Sequence, residues 1–486
     1  MKKLLLAVCV SFLFFSCDLD INNEDKKDTV EETQRSFWAI DATENDESYY
    51  KVQASLLAVG RYCKVWVEDG SGVDENTARS MANEYDNNIY QKMMSAFGTY
   101  ANYGYNGKIV ATNTMELADW YGDGDKKLCI LLLDIKDGYK NPGDSSIGGY
   151  FWGVNLLAND PNHEIYKYSN ECDMIYVDTY PGIPGSENSN RTLAHEMQHL
   201  MNVIQSAVCG RNSAMDIWIN EGLSAAAEYV YSGKIDAGRV SWFNRDQSGL
   251  IKKGNNFFVW DNRGNESPNA VLDDYATVSL FFQWLRLQSG GIPIYKDIIT
   301  SPQSNHMAVV NALNKRTSNA YSNWGTLLET WLAANSINHP SNQYGYKGAV
   351  TVTVAYAPAS PTTVRLYPGE GVYSLANTNP SVTSSGNIVY KYISGSNVNT
   401  SHSSGSTLLT YNKNTDIAAN TENGTVTGLA PAASVSIASS VRMAEPMFSD
   451  PYRIDIGDLL RRGGKDGGFL NIAPSELLIK GAVIDE

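Results

Sequence analysis

The sequence predicts an α+β fold for the first part of the chain and an all-β, sandwich-like domain at its C-terminal end. Between about Trp38 and His339, helical patterns alternate with short strands, and most of the aromatic residues lie there. From about Tyr346 the composition shifts to Ser, Thr, Asn, Gly and Val. Short strand patterns in this last part, such as residues 388–393, are separated by turn residues, which is typical of a β-sandwich.

The first element is an apolar run over residues 4–15, preceded by Lys2 and Lys3. It is too short to span a bilayer and predicts a signal peptide over residues 1–16. Ser16 followed by Cys17 resembles a bacterial lipoprotein processing site, so we expect Cys17 to carry a lipid that anchors the protein to a membrane, outside the cytoplasm. The alternative is that the signal peptide is cleaved nearby and the protein is secreted without a lipid.

Residues 17–35 are rich in Asp, Glu, Lys and Asn and poor in apolar groups, which predicts a lipidated, disordered tether. The remainder divides into a domain over residues 36–345 and a β-rich domain over residues 346–486. The last domain holds 10 Lys/Arg and 11 Asp/Glu, so nearly all of the net charge of −15 lies before it. Such an acidic first part argues against nucleic acid as a partner, because phosphates would be repelled. The sequence does not indicate an oligomeric state.

A helix is predicted over residues 191–205, where apolar residues recur at helical spacing, with Ser189 or Asn190 as its N-cap. On this helix His195 and His199 lie one turn apart, with about 5–6 Å between their Cβ atoms. Two imidazoles at this spacing can bind one zinc ion, and Glu196 between them is the candidate general base.

A third protein ligand is expected on a second helix, predicted over residues 216–228. Glu221 near its start can complete a His/His/Glu set, and Glu228, two turns further on the same face, is the competing ligand. A solvated or ligand-orienting carboxylate is the other interpretation of Glu228. Residues 200–207 contain neither glycine nor histidine, which excludes the metzincin pattern with its third histidine ligand.

These motifs resemble the hyicolysin family of secreted bacterial metallopeptidases. The likeness is carried by residues 195–199 (HEMQH) and 220–224 (NEGLS), by the upstream segments 123–138, 148–152 and 169–179, and covers roughly residues 100–290. It implies a gluzincin-type (thermolysin-like) zinc peptidase domain, an endopeptidase that hydrolyses protein or peptide substrates. The implied metal ligands are His195, His199 and Glu221, with Glu196 as the catalytic acid/base. Ala225 stands where related gluzincins often have aspartate, so the hydrogen-bond partner of the first histidine is unidentified.

Peptide hydrolysis also needs a hydrogen-bond donor for the oxyanion that develops in the transition state. Tyr275 is the candidate, because it opens an amphipathic run over residues 275–285 that looks like the tyrosine-led helix of related gluzincins. The alternative is that Tyr275 only packs at a helix start beside Asp273 and Asp274.

Calcium is a second candidate cofactor beside zinc. Asp119, Asp123 and Asp125, spaced with two glycines, resemble a calcium loop, but the glutamate that ends an EF-hand loop is missing, so a solvated turn is the favoured interpretation. Four cysteines lie beyond the signal and lipid positions: Cys63, Cys129, Cys172 and Cys209. They permit two disulfides or free buried thiols.

The alternative function is a non-catalytic, adhesive or ligand-binding lipoprotein whose β-rich tail does the binding and whose zinc site is vestigial or structural. Glu196 argues against it, because a structural zinc site needs no general base and fills its fourth position with protein.

Overall fold

The fold is described from a computed structural model. The description covers residues 33–427, apart from residues 44–47, 99–126, 142–145, 157–158, 209–213, 255–256, 268, 358–361, 378 and 384–385, together with residues 478–481. The predicted signal peptide, the lipid site Cys17, most of the predicted tether, the candidate calcium residues Asp119, Asp123 and Asp125, and Cys209 all lie outside the described residues.

A mixed, seven-stranded sheet forms one layer of the first part of the chain, in the order β1-β2-β3-β4-β6-β5-β14. The strands are β1 (Gln34–Asp41), β2 (Ser48–Val59), β3 (Cys63–Glu68), β4 (Leu128–Leu133), β5 (Gly149–Trp152), β6 (Met174–Asp178) and β14 (Leu478–Gly481). Strands β3, β4 and β6 run parallel, and the other neighbours pair antiparallel. Every residue of β4 and β6 is buried, as expected for parallel strands covered on both faces.

Helices form the rest of the first part. They are α1 (Glu75–Glu84), α2 (Tyr90–Phe97), α3 (Glu187–Val208), α4 (Ile217–Ser232), α5 (Ala237–Arg245), α6 (Ile251–Gly254), α7 (Ala270–Gln288), α8 (Pro293–Ile299), α9 (His306–Thr317) and α10 (Trp324–Ile337). Helix α3 contacts β5 and β6 on one side and α4 on the other. The combination of this sheet with these helices confirms the predicted α+β class.

Helix α3 begins earlier than predicted. Its first residue is Glu187, so Ser189 and Asn190 lie inside the first turn, and neither is the N-cap. Ser186 caps the helix instead: its Oγ accepts from the Ser189 N–H at 3.1 Å and its carbonyl oxygen accepts from the Asn190 N–H at 3.0 Å. The helix gains a turn because Ser186 satisfies these donors and Glu187 favours the positive helix end.

Helix α7 also differs from the prediction, because it begins at Ala270 and places Tyr275 in its second turn. Its residues 270–285 are all buried, so the helix is not amphipathic. It packs against α4, α5, α8 and α9, which leaves no face toward water over this length.

The C-terminal part contains two antiparallel sheets, ordered β11-β10-β12-β8 and β7-β13-β9. The strands are β7 (Thr362–Leu366), β8 (Gly371–Ala376), β9 (Ser381–Thr383), β10 (Ile388–Ser394), β11 (Asn397–Asn399), β12 (Ser406–Asn412) and β13 (Glu422–Thr427). Val364 and Leu366 of one sheet share a small apolar cluster with Val372 and Ile388 of the other. The sandwich arrangement itself stays a prediction.

The cysteines whose side chains are described, Cys63, Cys129 and Cys172, are buried free thiols. Within the described ranges, no helix is both long and apolar enough to cross a membrane.

Candidate metal centre and active site

Helices α3 and α4 bring the sequence-predicted ligands together. The two helices lie antiparallel, because His195 contacts Glu228 whereas Asn202, two turns later, contacts Asn220. This arrangement turns the histidine face of α3 toward the face of α4 that carries Glu221. The site is therefore built at a helix–helix interface inside the core, where rotamers are restricted by packing.

Three buried side chains form the candidate metal centre. His195 Nε2 lies 3.5 Å from Glu221 Oε2, and His199 Nε2 lies 3.7 Å from the same oxygen. One ligand atom from each residue lies within 4.8 Å of the other two. Among the residues that the structure describes, this is the group of His, Cys, Asp and Glu side chains able to hold a metal ion.

The hydrogen bonding of these three residues fits a metal ion. Both Nε2 atoms and Glu221 Oε2 are buried and have no hydrogen-bond partner within the described part of the chain. Buried polar atoms without a partner are costly, so three of them facing one point call for a shared cation. Two imidazole nitrogens and one carboxylate oxygen are the donor set of catalytic zinc sites, which leave a fourth position open.

Glu228 does not join the ligand group. Its Oε1 lies 2.8 Å from His195 Nδ1, the ring nitrogen that faces away from Glu221. Burial opposes a positive charge on His195, but Glu221 and Glu228 raise the pKa of His195 to about 10. The surroundings thus favour positive charge at the place where a cation would bind.

Ser224 lies against the candidate metal centre, and the sequence assigned it no role. Its Oγ lies 3.0 Å from His199 Nδ1 and donates to Gln198 Oε1 at 2.5 Å. Burial and the neighbouring His195 hold the pKa of His199 well below its usual value. The sequence could have indicated this contact, because Ser224 follows Glu221 by three residues and therefore lies on the same face of the helix.

Glu196 lies between α3 and strand β5 and is fully buried. A Cβ added at Gly149 of β5 would lie 3.5 Å from Glu196 Cγ, so the strand backbone passes directly beside this side chain. Burial raises the pKa of Glu196 to about 8, with His195 opposing the rise and Glu221 adding to it. A carboxyl with a raised pKa beside a metal centre is suited to accept and return a proton near neutral pH.

Tyr275 lies at the same centre, although it does not open its helix. Its hydroxyl hydrogen-bonds to Glu221, and its ring packs edge-on against Trp260 with 4.9 Å between ring centroids. Burial raises the pKa of the Tyr275 hydroxyl well above its usual value, and the Glu221 carboxylate adds to this rise. The phenol therefore stays protonated and remains a hydrogen-bond donor.

A buried His/His/Glu centre with a glutamate beside it, held between two antiparallel helices in an α+β fold, is the arrangement of zinc metallopeptidases. No family model matches this chain. It is, however, 30% identical over 324 residues to the neutral metalloprotease ShpI of Staphylococcus hyicus, and the match spans 65% of this chain and 65% of that protein. The match confirms that a segment of this chain resembles a metallopeptidase family. The aligned part amounts to slightly less than two thirds of the relative's length.

Proposed function

We propose that the protein is a zinc-dependent, extracytoplasmic endopeptidase that hydrolyses peptide bonds in protein or peptide substrates. The observation that carries this proposal is the buried group His195, His199 and Glu221, whose inward-facing atoms have no hydrogen-bond partner within the described residues. The likeness to a metalloprotease supports peptides as the substrate class.

In this proposal His195, His199 and Glu221 hold zinc. When bound, zinc polarises the substrate carbonyl and makes water acidic enough to ionise near neutral pH. Glu196 accepts the proton of the attacking water and later transfers it to the leaving amine nitrogen. The Tyr275 hydroxyl donates a hydrogen bond to the oxyanion, where negative charge develops in the transition state. Burial of all these groups excludes bulk water and strengthens each electrostatic contact.

Lipid anchoring through Cys17 remains part of the proposal, with secretion as its alternative. Both place the enzyme outside the cytoplasm. Calcium is the less supported cofactor, because the candidate loop with Asp119, Asp123 and Asp125 lacks the glutamate that ends an EF-hand loop.

The proposal is tested with the purified chain, first stripped of metal by a chelator and then titrated with zinc. We expect casein hydrolysis to disappear on stripping and to return in proportion to bound zinc, up to one ion per chain. Hydrolysis that survives complete removal of metal would contradict the proposal.

A further inference from the structure

The hydrogen-bond partner of His195 comes from an unexpected place. Related gluzincins often have an aspartate one turn after the ligand glutamate, but this chain has Ala225 there, with a methyl group that cannot accept a hydrogen bond. Glu228 takes over this role from one turn further along α4. A longer side chain at a more distant position needs support of its own, because glutamate has more rotamers than aspartate.

Arg239 of α5 supplies that support. Its Nη2 donates to Glu228 Oε1 at 2.7 Å, the same oxygen that lies 2.8 Å from His195 Nδ1. The side chains of Arg239 and Glu228 are 4% and 10% exposed, so water does not compete for this contact. Arg239, Glu228 and His195 thus form one continuous, buried chain of charge-assisted contacts that ends at the candidate metal centre.

The position of Arg239 is itself tied to the zinc-binding helix. Asp236 caps α5, because its Oδ1 accepts from the Arg239 backbone N–H at 2.8 Å. The other oxygen of Asp236 accepts from Arg191 Nη1 of α3 at 3.2 Å. The first turn of α5 therefore has a fixed position relative to α3. The contact on α3 is made by Arg191, one turn before His195 and two turns before His199.

Arg239 also lies beside the candidate oxyanion donor. Its guanidinium carbon is 5.8 Å from the centroid of the Tyr275 ring, within the range of a cation–π contact. One residue of α5 consequently contacts both the Glu228 carboxylate, which adjoins His195, and the ring of Tyr275, whose hydroxyl hydrogen-bonds to Glu221.

We propose that Arg239 is a positioning residue of the metal centre, which holds Glu228 so that Glu228 fixes the His195 ring with its Nε2 toward the metal. This role rests on the proposed function. Without Arg239, Glu228 Oε1 loses a donor and the carboxylate can rotate away from His195 Nδ1. Partners that orient metal-bound histidines typically change metal affinity by about 10–100-fold when they are removed.

The test measures the dissociation constant of zinc by competition with a chromophoric chelator, which requires no peptidase activity. We expect Arg239→Gln to weaken zinc binding by about 10–100-fold and Glu228→Gln to weaken it in the same direction. The double variant is expected to bind zinc no more weakly than the weaker single variant, because both residues act along one path. Arg239→Lys keeps the charge but not the planar geometry and should fall between wild type and Arg239→Gln.

Arg263→Gln is the matched control. Arg263 donates to a second buried carboxylate, Glu370, at 2.9 Å, and neither residue belongs to the candidate metal centre. We expect this control to lower the melting temperature without changing zinc affinity. Unchanged zinc affinity in Arg239→Gln would overturn the role of Arg239, and so would an equal loss in Arg263→Gln. If the wild type itself bound no zinc, both the proposed function and this role would fail. If the wild type bound zinc and Arg239→Gln bound it equally well, only the role of Arg239 would fail, so the two failures are distinguishable.

Discussion

His195 and His199 are chemically identical and one turn apart, yet their Nδ1 atoms meet different groups. His195 faces the carboxylate of Glu228, whereas His199 faces the neutral hydroxyl of Ser224. A carboxylate makes its imidazole more basic than a hydroxyl does, so the two candidate ligands would differ in electron donation to a shared ion. Each ring is nonetheless fixed in the orientation that presents Nε2 to Glu221.

The Tyr275 hydroxyl gives the first prediction. Tyr275→Phe removes a single oxygen and keeps the ring contact with Trp260. We expect kcat to fall by about 100–1,000-fold with little change in KM, as for other oxyanion donors. Steady-state kinetics on a fluorogenic peptide measure both constants. An unchanged kcat would show that Tyr275 only packs at the site, which is the alternative interpretation of this residue.

At this scale the sequence predicts the residues that belong to contiguous motifs and misses those that depend on tertiary contact. His195, Glu196 and His199 share one helical turn, and the spacing of Glu221 within its own helix indicated a third ligand. Arg239 could not be predicted, because its contact with Glu228 depends on how α5 folds back after α4. Such long-range contacts leave no periodic signal in the sequence.

The close packing of α4 on α7 positions Glu221, and Gly222 makes this packing possible. A Cβ at Gly222 would lie 2.1 Å from a ring carbon of Phe282 in α7. Gly222, which follows Glu221, therefore has room only for a hydrogen atom on its Cα. This close contact fixes the distance between α4, which carries Glu221, and α7, which carries Tyr275.

Gly222→Ala is expected to lower the free energy of unfolding by about 1–3 kcal/mol, because the added methyl group forces the two helices apart. It should also weaken zinc binding, since Glu221 moves with α4. Denaturant unfolding and zinc titration measure the two effects. Gly325→Ala is the control: it lies in α10, and its added Cβ would be 3.2 Å from the nearest atom. A Gly222→Ala variant as stable as this control would contradict the packing argument.

The first turn of α7 carries a buried carboxyl, Asp273, that makes stability depend on pH. Burial raises the pKa of Asp273 to about 7, although hydrogen bonds donated by Ser248 and Trp242 oppose the rise. Because its pKa is higher in the folded than in the unfolded chain, protonated Asp273 contributes stability that is fully present below about pH 4 and is lost progressively as the pH rises to about 7.

Asp273→Asn keeps the shape of the side chain but cannot ionise. We expect the free energy of unfolding of the wild type, relative to this variant, to fall by about 1.4 kcal/mol for each pH unit between about pH 4 and pH 7 and to be nearly constant above about pH 7. Denaturant titrations of both proteins across this range measure the difference. A difference that does not change with pH would contradict the raised pKa.

The helix types and approximate centres of α3 and α4 could be predicted from periodicity, but the start of α3 and the environment of α7 could not. Ser186, Ser189 and Asn190 are all of residue types that are common at the helix N-cap, so the sequence alone does not show which of them caps α3. The apolar pattern of α7 does not show whether one face or all faces are covered, because burial depends on which helices pack around it.

At the scale of the whole molecule, a buried ion pair joins the β-rich C-terminal part to the first part. Arg263 precedes α7, and Glu370 lies next to β8 with its side chain 0% exposed. The four-stranded sheet also packs on α10, where Tyr373 donates to the Leu332 carbonyl oxygen at 2.7 Å. Residues of this sheet share one hydrophobic core with the helices of the first part.

Breaking the Arg263–Glu370 pair tests whether this junction stabilises the molecule. Arg263→Gln leaves the Glu370 charge buried without its cation, so we expect the free energy of unfolding to fall by about 3–5 kcal/mol. Adding Glu370→Gln to this variant removes the uncompensated charge and should restore part of the loss. Thermal and denaturant unfolding of the wild type, Arg263→Gln and the double variant measure these changes in stability. An Arg263→Gln variant as stable as the wild type would contradict a stabilising role of the ion pair.

At the scale of the molecule, composition was enough to predict an α+β part followed by a β-rich part. The sheet order could not be predicted, because strand pairing is decided by contacts between segments far apart in sequence. The clearest example is β14, which lies within the predicted β-rich domain, residues 346–486, but pairs antiparallel with β5 of the first sheet.

The central claim is that Glu196 is the general base of peptide hydrolysis and that other residues hold the zinc ion. Zinc content and casein hydrolysis, measured side by side for the wild type and Glu196→Gln, test it most directly. We predict one zinc ion per chain in both proteins and hydrolysis by the wild type alone. Equal hydrolysis by the two proteins, or a chain that binds no zinc, would contradict the account.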